Sequence, residues 1–265
     1  MSATNGDNLI DEFFYKQPEP KFIEWLKSPL HEDESTHFIR KRKNTKEADA
    51  FEAYICECAK DFSEVIKTAT DDFHKFLRSE GALGNRYPIY IQRAEGFSEE
   101  SYRISVTENE CTVYASDTEG ARRAVYYLEE EMIKREGAFL PLGDTVRTSR
   151  IKRRITRGFF SPTNRPPKFG DELFDDIDYY PDEYLNRLAH DGTNGIWIYT
   201  SFRALLKSDI FPEHGDGAEK RIEKLRRVIE KCKRYGIKVF VFAIEPMHLV
   251  GDMAETYSDL TGAVT

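Results

Sequence analysis

Apolar positions recur with two different periods along this chain. From Asn44 to Gly81 they fall about 3.6 residues apart, at Phe51, Tyr54, Ile55, Cys58, Phe62, Val65, Ile66, Ala69, Phe73, Phe76 and Leu77, which predicts one long amphipathic helix. Asn44 with Glu47 three positions on reads as its capping box, and Gly81 as its stop. Upstream, only a short helical stretch over 21–27 stands out, ended by Ser28-Pro29. Short runs rich in β-branched and aromatic residues come next: PIYI (88–91), YRISV (102–106) and CTVYA (111–115), the last two joined through TENE as a hairpin. Asp117 is placed to cap a second helix that puts Ala121, Ala124, Val125, Leu128 and Met132 on one face and stops at Gly137.

After Arg150 the pattern changes. A basic stretch, RIKRRITRGFFSP, feeds a strand over 155–160, and a helix with Pro181 and Asp182 in its first turn carries Tyr184, Leu185 and Leu188 to Gly192. GIWIY (195–199) and IKVFVFAI (237–244) are apolar throughout rather than alternating. Between them lies a helix over 218–235 with Ile222, Leu225, Ile229 and Cys232 inward. Continuous apolar strands that alternate with helices predict a parallel sheet of β-α units. A closed eight-fold barrel takes about 250 residues, more than twice the length of chain beyond Arg154. The expected organisation is therefore an irregular segment (1–43), an α+β domain (44–150) and the first three βα units of an incomplete (β/α)8 barrel (151–265), with the chain ending inside a domain.

Composition narrows the function classes. A net charge of −8 argues against general attraction to nucleic acid or anionic membrane. Neither a membrane-spanning apolar run nor a secretory signal is visible, and four scattered cysteines predict a reducing, cytoplasmic setting. Phosphate-cradling glycine loops are missing as well, so no cofactor is expected. The histidines of HEDESTH, His31 and His37, stand six apart and cannot share a helical face as H-E-x-x-H does, so no metal is expected. Cys56 and Cys58 point in different directions on a helix, and Cys58 reads as core packing. The basic run at 40–46 reads as a solvated segment. Asp171, Glu172, Asp175, Asp176 and Asp178 read as a solvated loop face.

Residues 98–132 (SEESYRISVTENECTVYASDTEGARRAVYYLEEEM) resemble the small domain that precedes the barrel in β-N-acetylhexosaminidases and related glycoside hydrolases, and ITRGFF (155–160) is similar to the Arg-Gly signature of their first barrel strand. The likeness runs over about residues 85–250. It implies a hexosaminidase-like auxiliary domain followed by the start of a TIM-barrel enzyme that hydrolyses glycosides, with its chemistry on the loops after the strands. Arg157 matches the family's first-strand arginine, which binds hydroxyls of the terminal sugar; a linker charge is the other reading of the same residue. The IEPMH segment is similar to the family's acidic-Pro-Gly-His segment, which would make His248 a group polarising the catalytic acid and Glu245 a sugar ligand. Strand two departs from the family: GIWIYTSFR carries no His-x-Thr-Asp-Asp ending, though Tyr199, Thr200 and Arg203 could face sugar, and a glucuronidase-like or endo-hexosaminidase-like clan fits as well. His190 and Asp191 fall at the opposite face and read as structural.

Glycoside hydrolysis requires two carboxyl groups, or one with a substrate acetamido group. The resemblance places them after a fourth strand, beyond Thr265. The chain is thus expected to carry part of a sugar pocket and to be inactive alone, with a carbohydrate substrate and the missing part of the barrel as its partners. The alternatives are a non-catalytic carbohydrate- or protein-binding module, or one half of a split barrel whose strand edge over 239–244 another chain covers.

Overall fold

The computed structural model describes residues 20–31, 37–159, 171–212, 214–243 and 252–261. In chain order the main elements are α1 (Pro20–Leu26), β1 (Glu47–Asp49), β2 (Ala53–Cys58), α2 (Lys67–Ser79), β3 (Tyr87–Arg93), β4 (Tyr102–Val106), β5 (Cys111–Ala115), α3 (Thr118–Lys134), β6 (Phe139–Pro141), β7 (Gly143–Arg147), β8 (Ile155–Arg157), α4 (Asp182–His190), β9 (Gly195–Thr200), α5 (Ala218–Arg234) and β10 (Lys238–Ala243). The first sheet has the order β2-β3-β5-β4-β7, parallel from β2 to β5 and antiparallel beyond. β1 and β6 form a small antiparallel pair. β8, β9 and β10 make a second, wholly parallel sheet with β9 in the middle. Helices and sheets together make a mixed α/β fold. No described helix is long and apolar enough to cross a membrane.

The hairpin expected from TENE is β4–β5, with Thr107 N–H donating to Glu110 O at 2.9 Å across the turn. Asp117 caps α3 as its position predicts: its Oδ1 accepts the Gly120 N–H at 2.6 Å. α2 and α3 lay Phe73, Phe76, Leu77, Ala121, Ala124, Val125, Leu128 and Met132 into a core shared with Ile89, Ile91, Ile104 and Val113 of the sheet.

The long helix expected over 44–81 is not formed. Its second half is α2, ended at Gly81 with φ +64°, but residues 53–58 are the strand β2, paired with β3. Glu47 Oε2 does accept the Asn44 N–H at 2.9 Å as a capping box would, yet strand comes next, and Glu52 turns the chain at φ +61° before β2. Positions 54, 55 and 58 fit the helical period, whereas in the strand Tyr54 and Ile55 face opposite ways, and pairing with β3 decides for the strand. On α5 the inward stripe holds Val228 and Cys232, with Leu225 at its margin, while Ile229 is exposed, contrary to expectation. Lys224 lies on the buried face in its place, its ammonium donating to Ile177 O at 2.8 Å. All four cysteines are free, Cys111 and Cys232 being buried.

Candidate functional site

Register sets the face of the parallel sheet. Arg157 lies opposite Trp197, and Trp197 opposite Phe240, while Tyr199 lies opposite Phe242. Alternation therefore puts Arg157, Trp197, Tyr199, Phe240 and Phe242 on one face. The Arg157 guanidinium sits 5.3 Å from the Trp197 ring centroid, and the Phe242 ring is 5.2 Å from Trp197 and 5.8 Å from Tyr199. Ile196 and Ile198, on the other face, belong to the core beneath the helices. Thr200 shares that second face and is buried, so it does not line up with Tyr199. Arg203 stands half-buried on a single helical turn, Phe202–Leu205, just after β9. An arginine and four aromatic rings on one surface suit sugar hydroxyls and sugar faces respectively. Glu245 and His248 lie outside the described residues.

The acidic loop after β8 is only in part the solvated face its composition suggests: Asp176 and Asp178 are exposed, Asp171 and Asp175 half-buried, and Glu172 is buried. Glu172 is 1% exposed; its Oε2 accepts the Phe159 N–H and the Tyr180 hydroxyl, each at 2.9 Å. A Cβ on Gly158 would come within 2.6 Å of Glu172 Oε1 and 2.9 Å of Trp197 O, so only glycine fits where β8 passes over this carboxylate. Asp171 accepts from Arg221 Nε at 2.7 Å, and Asp175 from the Tyr179 hydroxyl at 2.9 Å. Asp171 thus ties the loop to α5, while Glu172 and Asp175 brace it internally and against the end of β8.

A second constellation lies elsewhere, between the two sheets' helices. His31 follows α1, Asp72 is on α2, Glu129 on α3 and His190 is the last residue of α4. His31 Nε2 is 3.0 Å from Asp72 Oδ2 and 3.3 Å from Glu129 Oε2; His190 Nε2 is 3.5 and 3.4 Å from the same two oxygens. The four side chains are 5–13% exposed. Phe76 and Tyr126 flank the imidazoles, with ring centroids 5.2 Å from His31 and 4.0 Å from His190. Burial alone would lower the His31 pKa, but hydrogen bonds to Asp72 and Glu129 outweigh it and bring it up to about 9. Burial would likewise raise both carboxyls, and the facing imidazoles hold them below their usual range instead.

Spacing along the sequence could not have revealed this group, since its members come from four separate elements. The one local signal was HEDESTH, and only its first histidine takes part; His37 bonds instead to Glu80, Nδ1 to Oε1 at 2.7 Å. His190, expected to be merely structural, closes the group.

No family model matches the chain, and no curated protein matches it. Solved structures similar to it include glycoside hydrolases. A GH138 enzyme targeting pectin rhamnogalacturonan II matches with TM-score 0.59 and 14% identity, over 78% of this chain and 25% of that one. The β-N-acetylhexosaminidase of Bacteroides fragilis matches at TM-score 0.48 and 17% identity, over 84% of this chain and 46% of the other. The GH20 β-N-acetylhexosaminidase of Streptomyces coelicolor matches at TM-score 0.48 and 14% identity, over 76% and 44%. The chain thus spans about a quarter of the first and less than half of the other two. At these identities the likeness is one of fold, and of these three the GH138 enzyme is the one that supports it.

Proposed function

We propose that this chain is the N-terminal part of a glycoside hydrolase acting on β-linked hexosaminides or related glycosides. In this reading residues 44–150 form the auxiliary α+β domain, and the residues from 151 start a (β/α)8 barrel whose catalytic carboxylates follow a later strand. The observation that carries the reading is the parallel succession β8-β9-β10, with Arg157, Trp197 and Tyr199 gathered on the face turned away from the helices. That is the inner face of a barrel, where strand ends supply the sugar site. Arg157 would bind vicinal hydroxyls through its fixed fork of donors, and the rings would stack on the sugar. The acids after β8 are committed to Phe159, Tyr179, Tyr180 and Arg221, which supports looking further along for the acid–base pair. Cofactor-free hydrolysis requires that pair alone.

One observation favours completion of the barrel by further chain. Among the described residues β10 forms an edge of its sheet, and Val241 and Phe242 there are 45% and 48% exposed. An apolar parallel edge of this kind pairs or aggregates unless covered. A covalent continuation and a separate partner chain would both cover it.

The test is the intact mass of the native product together with turnover of chromogenic β-hexosaminides. A product heavier than 30.8 kDa by about 20 kDa or more, active where the 265-residue chain is inactive, is the expected result. In that complete enzyme Arg157→Ala should weaken sugar binding by about 1.5–3 kcal/mol, the loss of one charged hydrogen bond. Turnover by the 265-residue chain alone would overturn the placement of the carboxylates, and unchanged kinetics in R157A would remove Arg157 from the site.

A further inference from the structure

We propose that His31, Asp72, Glu129 and His190 form a four-ligand transition-metal site, suited to Zn2+, that clamps the segment after α1 to helices α2, α3 and α4. The inference is independent of the proposed hydrolase activity.

Geometry comes first. A tetrahedral Zn2+ with bonds of about 2.0–2.1 Å sets its ligand atoms about 3.3 Å apart. The four nitrogen-to-oxygen separations in this group are 3.0, 3.3, 3.4 and 3.5 Å. The remaining two, between the imidazoles and between the carboxylates, close within 4.8 Å. Four donors from four segments are therefore gathered with their nitrogen-to-oxygen edges at close to metal-ligand spacing.

The groups behind the donors are arranged as ligands require. His190 Nδ1 lies 2.9 Å from Asn186 O. A carbonyl only accepts, so Nδ1 carries a proton and Nε2 is the nitrogen turned to the carboxylates. Ligating histidines are commonly fixed in this way. Asn186, one turn earlier on α4, also hydrogen-bonds the Asp72 carboxylate from its side chain. The same residue thus orients one imidazole and one carboxylate.

Donor chemistry selects the ion. Two imidazole nitrogens with two carboxylate oxygens suit Zn2+ and its neighbours in the first transition row, whereas Ca2+ and Mg2+ call for six or more oxygens. A dication with two neutral imidazoles also cancels the charge of Asp72 and Glu129. With four protein ligands the site is closed, hence structural rather than catalytic. Ions have a way in: a cleft of about 450 Å3 reaches Glu129 and His190 from one side, and one of about 260 Å3 reaches His31 and Asp72 from the other.

Two protons could occupy the group in place of the metal, leaving an ion-pair cluster of the same charge, and the experiment separates the two. The untagged 265-residue chain is stripped with a chelator and titrated with Zn2+, and in parallel with Co2+. The expected result is one Zn2+ per chain with a sub-micromolar Kd, a raised Tm, and the intense visible bands of tetrahedral Co2+. H190Q and E129Q should weaken Zn2+ binding about 100-fold, roughly one ligand's share of such a site. Asn186→Ala should weaken it about 10-fold through lost positioning. H37Q, which alters the neighbouring histidine outside the group, should change nothing. No uptake by the wild-type chain at about 100 μM Zn2+, the faint spectrum of octahedral Co2+, or equal affinity in H190Q and E129Q would each overturn the proposal in favour of the ion-pair cluster. The wild-type measurements need no variant, so a variant that fails to fold leaves the test decisive.

Discussion

Asn194 Nδ2 donates to Glu100 Oε1 at 2.7 Å, and this one bond joins the loop before β4 to the residue before β9. Asn194 is saturated. Its Oδ1 accepts the Arg154 N–H at 2.8 Å, its Nδ2 also reaches Lys152 O at 2.8 Å, and its own N–H and C=O bond Arg154 and Lys238 at 3.0 Å each. Glu100 is equally engaged: Arg154 pairs with its other oxygen, and its N–H donates to Asp117 Oδ2 at 2.9 Å. The cap of α3 and the first two strands of the parallel sheet are therefore tied through one residue, the cap by its backbone N–H and the strands by its carboxylate.

Removing that carboxylate should loosen the whole junction. Glu100→Ala takes the charge partner from Arg154 and Arg123 and one of two acceptors from the Asn194 amide in a largely buried place. The expected loss is about 3 kcal/mol, the low end for breaking a buried pair because Arg154 is partly open to water. Glu100→Gln keeps the shape and one acceptor and should cost less. Equilibrium denaturation followed by circular dichroism and by Trp197 fluorescence reads the effect. A loss under about 1 kcal/mol in E100A would show the junction to be held by other contacts.

Arg122 performs a similar task deeper inside. It is 1% exposed and donates to Val65 O at 2.8 Å, Arg234 O at 2.9 Å and Glu119 Oε2 at 3.2 Å. It thus links α3 to the turn before α2 and to the carbonyl end of α5, where a cation also meets the helix dipole favourably. Gly236 leaves room for it: a Cβ there would sit 2.8 Å from Arg122 Nε and 2.2 Å from Glu119 Oε2, and its φ of +69° suits glycine besides. A lysine ammonium cannot satisfy acceptors in three directions, so Arg122→Lys should cost about 2 kcal/mol. Arg122→Met should cost about 3–5 kcal/mol, since it strands Glu119 and the carbonyls. The shift in denaturation midpoint at constant m-value measures both, and a tolerated R122K would show that charge, not the fork, matters.

Elements with local signals were legible in the sequence. The β4–β5 hairpin rests on the Thr107–Glu110 turn and α3 on its Asp117 cap, while β9 and β10 rest on unbroken apolar runs. β2 was not legible because positions 54, 55 and 58 satisfy the helical period, and only its partner β3 resolves the ambiguity. β7 escaped notice for a different reason: Gly143–Arg147 is largely exposed and carries no apolar alternation, being held as a strand by β4 alone. Arg157 and Tyr199 could be placed on strand ends from the β-α rhythm. Glu172 could not be told from its four acidic neighbours, since burial, not composition, distinguishes it. The His31–Asp72–Glu129–His190 group depends wholly on how four helical segments converge.

His74 supplies a pH-dependent term in stability whose sign is fixed by one bond. On α2, its Nε2 accepts the Ile55 N–H of β2 at 3.2 Å, which requires the neutral ring. Burial lowers its pKa, Arg78 and Lys67 add to that, and Asp71 opposes it. The folded pKa thus lies below the unfolded value of about 6.5, so between the two the unfolded chain binds the extra proton. The contribution of His74 is fully present above about pH 6.5 and is lost as pH falls through the folded pKa, with a slope of at most about 1.4 kcal/mol per pH unit. His74→Gln can still offer an amide oxygen to Ile55 N–H but takes up no proton. At pH 7.5 it should lie within about 1 kcal/mol of the wild type. Below pH 6.5 its stability should fall less steeply, and the two curves should converge or cross. Urea denaturation of both chains from pH 7.5 to 5 gives the difference directly, with the titration of every other group cancelling. Parallel curves would mean that the imidazole does not hold this strand to its helix.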